Sequence, residues 1–140
     1  MKPKRKAREA ALQVLFQRGF QDSQNSTDLF NSFADNFLFE PATREHALYL
    51  TTNVIAKEED LNSIISKYSD NWRIDRIALI DKILLQISVL ELCFSPDLDT
   101  DPKLCMTDIL DLAKKYSSED SKSFINGILD KVYNKEVGEG

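Results

Sequence analysis

The chain has 140 residues, 42% hydrophobic and 29% charged, which is typical of a single domain with its own hydrophobic core. Four glycines and four prolines provide little turn material for an all-β protein, so the composition predicts an all-α fold and one domain over residues 1–140. Two cysteines exclude a disulfide scaffold, and no apolar segment follows the charged N-terminus. We therefore expect a cytoplasmic protein without a signal peptide.

The formal net charge is −5, yet the basic residues are concentrated at one end of the chain. Five of the first eight residues are basic, namely Lys2, Lys4, Arg5, Lys6 and Arg8. The rest of the chain is acidic, so this asymmetry predicts an anionic partner at the N-terminal end. A solvated, charged terminus would give the same pattern.

Apolar residues at helical spacing predict the elements of the first half. A first helix is expected over residues 4–20, a second over 28–38, and a long third over 42–66 that Pro41 opens. The polar segment 69–76 is expected to form a short turn fixed by Trp72. His46 has no second metal ligand at helical spacing, so we predict no metal site.

Residues 77–94 form the most apolar segment, with thirteen apolar positions of eighteen and no glycine or proline. The apolar positions surround nearly the whole helix, which predicts a buried central helix. A membrane span needs about 20 predominantly apolar residues. That interpretation is excluded because polar residues interrupt the segment: Asp81, Lys82, Gln86, Ser88 and Glu91.

Two further helices are predicted after the central one. The first of them, the sixth element when the turn at 69–76 is counted, begins near residue 103, and Ser118 caps a last helix whose first turn holds Glu119 and Asp120. Gly127 lies inside this last helix, where glycine costs about 1 kcal/mol relative to alanine. We therefore expect a neighbouring backbone or a ligand to approach closely at Gly127.

Phe124 has two interpretations, a core side chain or a platform on which a base of single-stranded RNA stacks. Ile125, Ile128 and Leu129 already supply an apolar stripe, and Phe124 lies at its margin beside Lys122. Single-stranded RNA is bound by aromatic faces with polar groups nearby, here Lys122 and Asn126. The position favours stacking.

No catalytic motif is present. The sequence has no glycine-rich phosphate loop, no dinucleotide-binding motif, no zinc-protease motif and no cysteine with a plausible histidine partner. The consecutive carboxylates at 58–60 are typical of a solvated helix face. We predict neither enzymatic activity nor a cofactor.

Three segments resemble the NusB family of bacterial transcription antitermination and rRNA-maturation factors. They are RKAREAALQVLFQ at 5–17, IDKILLQISVLEL at 80–92 and DLAKKYSSEDSKSFINGILDKV at 111–132. The third is the most specific, because it contains the Ala-Lys pair, Glu-Asp-Ser and then Phe-Ile-Asn-Gly-Ile-Leu-Asp. The resemblance extends over essentially the whole chain.

The resemblance implies a compact bundle of about seven helices in two roughly three-helix halves. It also implies binding of single-stranded boxA RNA jointly with NusE, a ribosomal protein of the small subunit, in a complex with NusA, NusG and RNA polymerase. Family members occur as monomers and as homodimers, and both states stay open. A helical protein-protein adaptor without RNA contact is the alternative function.

Site residues follow from the same resemblance. The basic cluster including Arg5 and Arg8, the ring of Phe16 and the segment 120–124, with Asp120 and Phe124, are implied to line the RNA surface. Asp81 and Glu91 are implied to lie near the NusE-binding surface. Gln86 replaces a frequent arginine and is expected to remove one charge from one of these surfaces.

Overall fold

The computed structural model describes residues 3–18, 26–34, 40–70, 74–96, 98 and 100–137, and seven α-helices lie within them. The described residues contain no strand, so the all-α prediction is confirmed. No helix among them is long and apolar enough to cross a membrane. The chain divides into two compact units, residues 1–57 and 58–140. The helices are α1 Pro3–Arg18, α2 Ser26–Ala34, α3 Pro41–Ala56, α4 Glu58–Tyr68, α5 Leu79–Cys93, α6 Pro102–Tyr116 and α7 Glu119–Val132.

The first unit contains three helices, in which α3 packs on both α1 and α2. The guanidinium of Arg44 on α3 lies 5.5 Å from the ring centroid of Phe30 on α2. Its Nη2 also donates a hydrogen bond to Asn31 Oδ1 at 3.3 Å. The core of this unit combines small side chains with one aromatic ring: Ala7, Ala10, Val14, Leu29, Phe30 and Ala47.

The predicted long third helix is wrong, because the chain forms two helices there. At Lys57 the backbone leaves the helical region, with φ −110° and ψ 21°. Three acidic side chains at 58–60 then occupy the first turn of α4, where the positive end of the helix dipole favours them. Val54 and Leu61 are both buried and lie two helical turns apart, so the apolar spacing continues through the break without revealing it.

The second unit is organised around α5, which contacts α4, α6 and α7. Every residue from 83 to 91 on this helix is buried, which confirms the predicted central helix. Gln86 is among them, and its Nε2 donates to Asn62 Oδ1 at 2.9 Å. The expectation that Gln86 changes a surface charge is therefore wrong. The facing helices bury Leu61, Ile65, Cys105, Ile109, Leu112, Ala113, Ile125, Ile128, Leu129 and Val132.

A 3₁₀ turn, Ile74–Arg76, precedes α5, while Trp72 of the predicted turn lies outside the described residues. The predicted cap of α7 is confirmed, since Ser118 Oγ accepts a hydrogen bond from the backbone N–H of Ser121 at 3.0 Å. This cap fixes the start of α7, and a π-helical turn, Tyr133–Val137, follows its end.

Gly127 is exposed on α7, and a Cβ atom built there would meet no described atom within 4 Å. The predicted close approach of a neighbouring protein backbone is therefore wrong. The space around Gly127 is open, so contact with a ligand there stays a prediction.

Candidate nucleic-acid interface

A pocket of about 300 Å³ lies in the second unit where the entrance to α5 meets the start of α7. Residues 76–78, from the 3₁₀ turn and the link into α5, form one wall, and Asp81 comes from the first turn of α5. Asp120, Ser121 and Phe124 come from the first turns of α7. The volume is at the lower end of the range for small-molecule sites, about 300–1,000 Å³.

Asp81 is the most deeply buried acidic group of this pocket, with 6% of the residue exposed. Among the described residues, its Oδ1 has no hydrogen-bond partner. Burial raises the pKa of Asp81 above its ordinary value of 3.8, while the hydroxyls of Ser121 and Ser117 act in the opposite direction. One buried carboxylate oxygen of a pocket-lining residue is therefore left unmatched among the described residues.

Three serines surround the start of α7, and the hydroxyls of Ser117 and Ser121 act to lower the pKa of this carboxyl group. The Oγ atoms of Ser117 and Ser121 lie 2.7 Å apart, and Ser118 Oγ lies 3.3 Å from Ser121 Oγ. Ser121 also lines the pocket. The helix cap that stabilises α7 thus places a hydroxyl, which can donate or accept, at the pocket wall.

Phe124 is half-buried and lines the pocket, whereas the next residue, Ile125, is fully buried in the core. Asp120 is exposed at the pocket, one helical turn before Phe124. Lys122 is half-buried and Asn126 is exposed, and neither lines the pocket. Of the α7 residues predicted for RNA, the structure therefore brings Asp120 and Phe124 together at one cavity.

Asp81 and Glu91, the two residues predicted for a protein partner, occupy different environments. Glu91 has 4% of its surface exposed, and its Oε2 accepts a hydrogen bond from Cys105 Sγ at 3.3 Å. Its position is inside the second unit rather than on a docking surface. Asp81 lies instead with Asp120 and Phe124, so the structure groups it with the residues predicted for RNA.

The basic cluster of the first unit lies at the start of α1. Lys6 is exposed, while Lys4 and Arg5 are half-buried and make interactions within the protein. Lys2 lies outside the described residues. Arg8 has only 1% of its surface exposed, so its predicted role as a surface contact to RNA does not agree with its position. The surface part of the cluster is therefore residues 4–6.

Phe16, the other aromatic residue predicted for RNA, is half-buried near the end of α1 and makes an interaction within the protein.

Arg8 could have been recognised as buried from the sequence. Ala11, Leu12 and Leu15 follow it at three, four and seven residues, and all three are buried. An arginine on that stripe faces the same side of the helix as the core residues.

Sequence reasoning missed Arg76, which is exposed on the 3₁₀ turn just before the central helix and lines the pocket. Ser121 lies within the predicted segment 120–124 but was not singled out. The one available signal was Asp81 itself, because a carboxylate inside a strongly apolar helical segment is a candidate functional group.

Two kinds of reactive site, a metal centre and an activated cysteine, bear on catalysis in the part of the chain that the structure describes. No group of three or more His, Cys, Asp or Glu side chains among them could hold a metal ion. Burial raises the pKa of the Cys93 thiol to about 11, and the charge of Glu136 acts in the same direction. Cys93 is therefore a thiol rather than a nucleophilic thiolate at neutral pH.

Comparison with known proteins gives a consistent result. Residues 5–134 match the model of the NusB family. The transcription antitermination protein NusB of Bdellovibrio bacteriovorus is 35% identical over 92% of this chain and 93% of its own length. The transcription antitermination protein NusB of Chloroherpeton thalassium is 29% identical over 98% of this chain, which spans 64% of that relative's length.

Among solved structures, a chain from a crystal structure of the antitermination factors NusB and NusE in complex with dsRNA superimposes with a TM-score of 0.85. It is 29% identical, and the match covers 96% of this chain and 98% of that one. These matches define the class, which is that of the helical transcription antitermination proteins. The chain belongs to the NusB family, which confirms the resemblance seen in its sequence. This family is non-enzymatic, in agreement with the prediction of no enzymatic activity.

Proposed function

We propose that the chain, as one RNA-binding domain, is a cytoplasmic antitermination factor that binds single-stranded boxA RNA together with NusE. The pair then joins NusA, NusG and RNA polymerase during rRNA transcription. Membership of the NusB family supports the antitermination role. The similarity to a NusB chain crystallised with NusE and dsRNA supports contacts with both kinds of partner.

The observation that carries this proposal is the half-buried ring of Phe124 at the pocket. Stacking of bases on aromatic faces is the main way that proteins hold single-stranded RNA. The core of the second unit does not need this ring, because Ile125, Ile128 and Leu129 already anchor α7. An aromatic ring at the wall of a pocket fits a base better than it fits the interior.

The basic residues 4–6 supply the electrostatic part of the proposed RNA binding. Each phosphate contact to a single strand steepens the log-log dependence of affinity on salt by about 0.7. Contacts from all three residues would therefore give a slope of about −2. The rest of the chain is acidic, so this end supplies the electrostatic attraction for the strand.

The test is a titration of labelled boxA RNA at increasing salt, with and without NusE. A variant with Lys4→Gln and Lys6→Gln should flatten the slope by about 1.4 if both lysines contact phosphates. The matched control carries Lys103→Gln and Lys135→Gln, two exposed lysines that do not line the pocket. It should leave the slope unchanged.

Equal slopes for the two double variants would overturn the role of residues 4–6. Binding of NusE without any binding of RNA would overturn the RNA-binding function and would favour the adaptor.

A further inference from the structure

Asp81, in the first turn of α5, interacts with the link between α6 and α7, because the hydroxyls of Ser117 and Ser121 both act on its carboxyl group. We propose that Asp81 is a positioning residue, which fixes the start of α7, and with it Asp120 and Phe124, without touching the RNA itself. The inference rests on the proposed RNA-binding function and deepens it, because it assigns a role in that function to a side chain that is almost closed to solvent.

The link between α6 and α7 has only two residues, so the groups that hold it also set the direction of α7. Ser117 ends α6, and its backbone N–H donates to the carbonyl oxygen of Ala113 at 2.9 Å. Ser118 begins α7, and its Oγ accepts from the backbone N–H of Ser121 at 3.0 Å. Asp81, with 6% of the residue exposed, lines the same pocket as Ser121. The link is therefore held by a third helix as well as by its own caps.

An ionised carboxylate sets the direction of the hydrogen bonds around this link. Each serine hydroxyl carries one proton, and the carboxylate of Asp81 only accepts. When Ser121 donates its proton to Asp81, its Oγ is left as an acceptor for Ser117, 2.7 Å away, and for Ser118, 3.3 Å away. An asparagine in the same place could donate or accept and would leave the direction open. The negative charge therefore selects one arrangement of the three hydroxyls.

The charge of Asp81 costs the folded state free energy. Burial raises the pKa of the group, and its Oδ1 has no hydrogen-bond partner among the described residues. A residue with a purely structural role contributes stability, whereas a group that lowers stability is typical of functional positions. This cost points to a role in binding.

The residues predicted for RNA lie directly beside this hydrogen-bonded link. Asp120 precedes Ser121 by one residue, and Phe124 follows it by three on the same helix. All three line the pocket together with Asp81. A shift at the start of α7 therefore displaces the ring of Phe124, and a binding group that is held loosely loses affinity.

The experiment compares the full chain with Asp81→Asn and with a matched control, Asp130→Asn. Asp130 is exposed on α7 and does not line the pocket, so both variants lose one negative charge. Loss of a negative charge by itself favours RNA binding in both variants. Three quantities are measured near neutral pH: the affinity for boxA RNA, the melting temperature and the hydrogen-exchange rate of the Ser121 backbone N–H.

Asp81→Asn should bind boxA RNA about three- to tenfold more weakly than the unchanged chain, against the general charge effect. The Ser121 N–H should exchange about fivefold faster, while the melting temperature does not fall. Asp130→Asn should bind RNA at least as tightly as the unchanged chain. A purely structural residue would change the melting temperature and the affinity in the same direction, so a loss of affinity without a loss of stability identifies positioning.

Ser117→Ala tests whether Asp81 acts through the link, because Ser117 is exposed and does not line the pocket. The substitution should weaken RNA binding of the unchanged chain and have little further effect in Asp81→Asn. Ser123→Ala is the control, since Ser123 is another exposed serine outside the pocket, and its effect should be the same in both backgrounds.

Unchanged or tighter RNA binding by Asp81→Asn would overturn the inference and leave the RNA-binding function standing. So would an unchanged exchange rate at Ser121, a loss of affinity that accompanies a lower melting temperature, or an equal effect of Ser117→Ala in both backgrounds. Failure of the folded, unchanged chain to bind boxA RNA would overturn the RNA-binding function, and the inference with it.

Discussion

Each end of α5 carries one buried carboxylate, and the two differ in their hydrogen-bond partners. Near its C-terminal end, Glu91 is 4% exposed and accepts a hydrogen bond from Cys105. In its first turn, Asp81 is 6% exposed and lines the pocket, and its Oδ1 has no partner among the described residues. Burial alone therefore does not distinguish the two carboxylates. The unmatched oxygen of Asp81 does, and it marks Asp81 as the candidate for a role in binding.

The largest expected effect concerns the part of α5 between these two carboxylates, where every residue from 83 to 91 is buried. Leu84→Ala removes a fully buried side chain and should lower the free energy of unfolding by about 2–5 kcal/mol through lost burial and a residual cavity. Denaturant titration measures it, with the half-buried Lys82→Ala on the same helix as control. An unchanged unfolding curve together with loss of a partner would make α5 an interface instead.

The next effect should appear at the Glu91 end. Glu91→Ala removes the acceptor of the Cys105 hydrogen bond in a buried site and should cost about 1–3 kcal/mol of stability. The affinity of the folded protein for boxA RNA should not change. If this variant lost RNA binding while it kept its melting temperature, Glu91 would be a binding residue rather than a structural one.

At the Asp81 end, removal of the charge should stabilise the folded protein rather than destabilise it. Burial raises the pKa of Asp81 above 3.8, so the folded chain disfavours the charged form. Below pH 3.8 the carboxyl is protonated in the folded and the unfolded chain and costs nothing. As pH rises through the raised pKa, the folded state loses stability.

Asp81→Asn should therefore raise the melting temperature at neutral pH, and the gain should shrink as the pH falls towards 4. Melting curves over that range, with Asp130→Asn as control, measure the difference. A variant less stable than the unchanged chain at neutral pH would show that the charge of Asp81 stabilises the fold.

The smallest effect is expected at Gly127, which follows Asp120 and Phe124 by seven and three residues on α7 and so shares their helix face. A Cβ atom there meets nothing described within 4 Å, so Gly127→Ala should raise stability by about 0.5–1 kcal/mol. Weaker RNA binding by this more stable variant would show that the strand approaches the backbone at Gly127. Unchanged binding would limit the contribution of α7 to its pocket residues.

Features that depend on neighbouring residues in the chain were predictable from the sequence. The central helix and the Ser118 cap followed from spacing and side-chain chemistry. The break at Lys57 did not, because the buried residues Val54 and Leu61 keep a helical spacing across it.

The pocket was only partly predictable, because its walls come from segments about forty residues apart. Asp120 and Phe124 followed from their position on α7 and from the family resemblance. Their meeting with Asp81 and Arg76 depends on how α5 packs against α7, and residue spacing within either helix does not specify that packing. Asp81 was consequently assigned to a protein partner rather than to RNA.

Stacking of an RNA base on Phe124 is tested most directly by Phe124→Ala, measured for boxA RNA affinity and for thermal stability in parallel. A stacked base is worth about 1–3 kcal/mol, so the affinity should fall by about five- to 150-fold while the melting temperature stays nearly unchanged. Tyr133→Ala is the control, because Tyr133 is a half-buried aromatic residue that does not line the pocket. A large drop in the melting temperature of Phe124→Ala, with RNA affinity preserved, would contradict base stacking and make Phe124 a core residue.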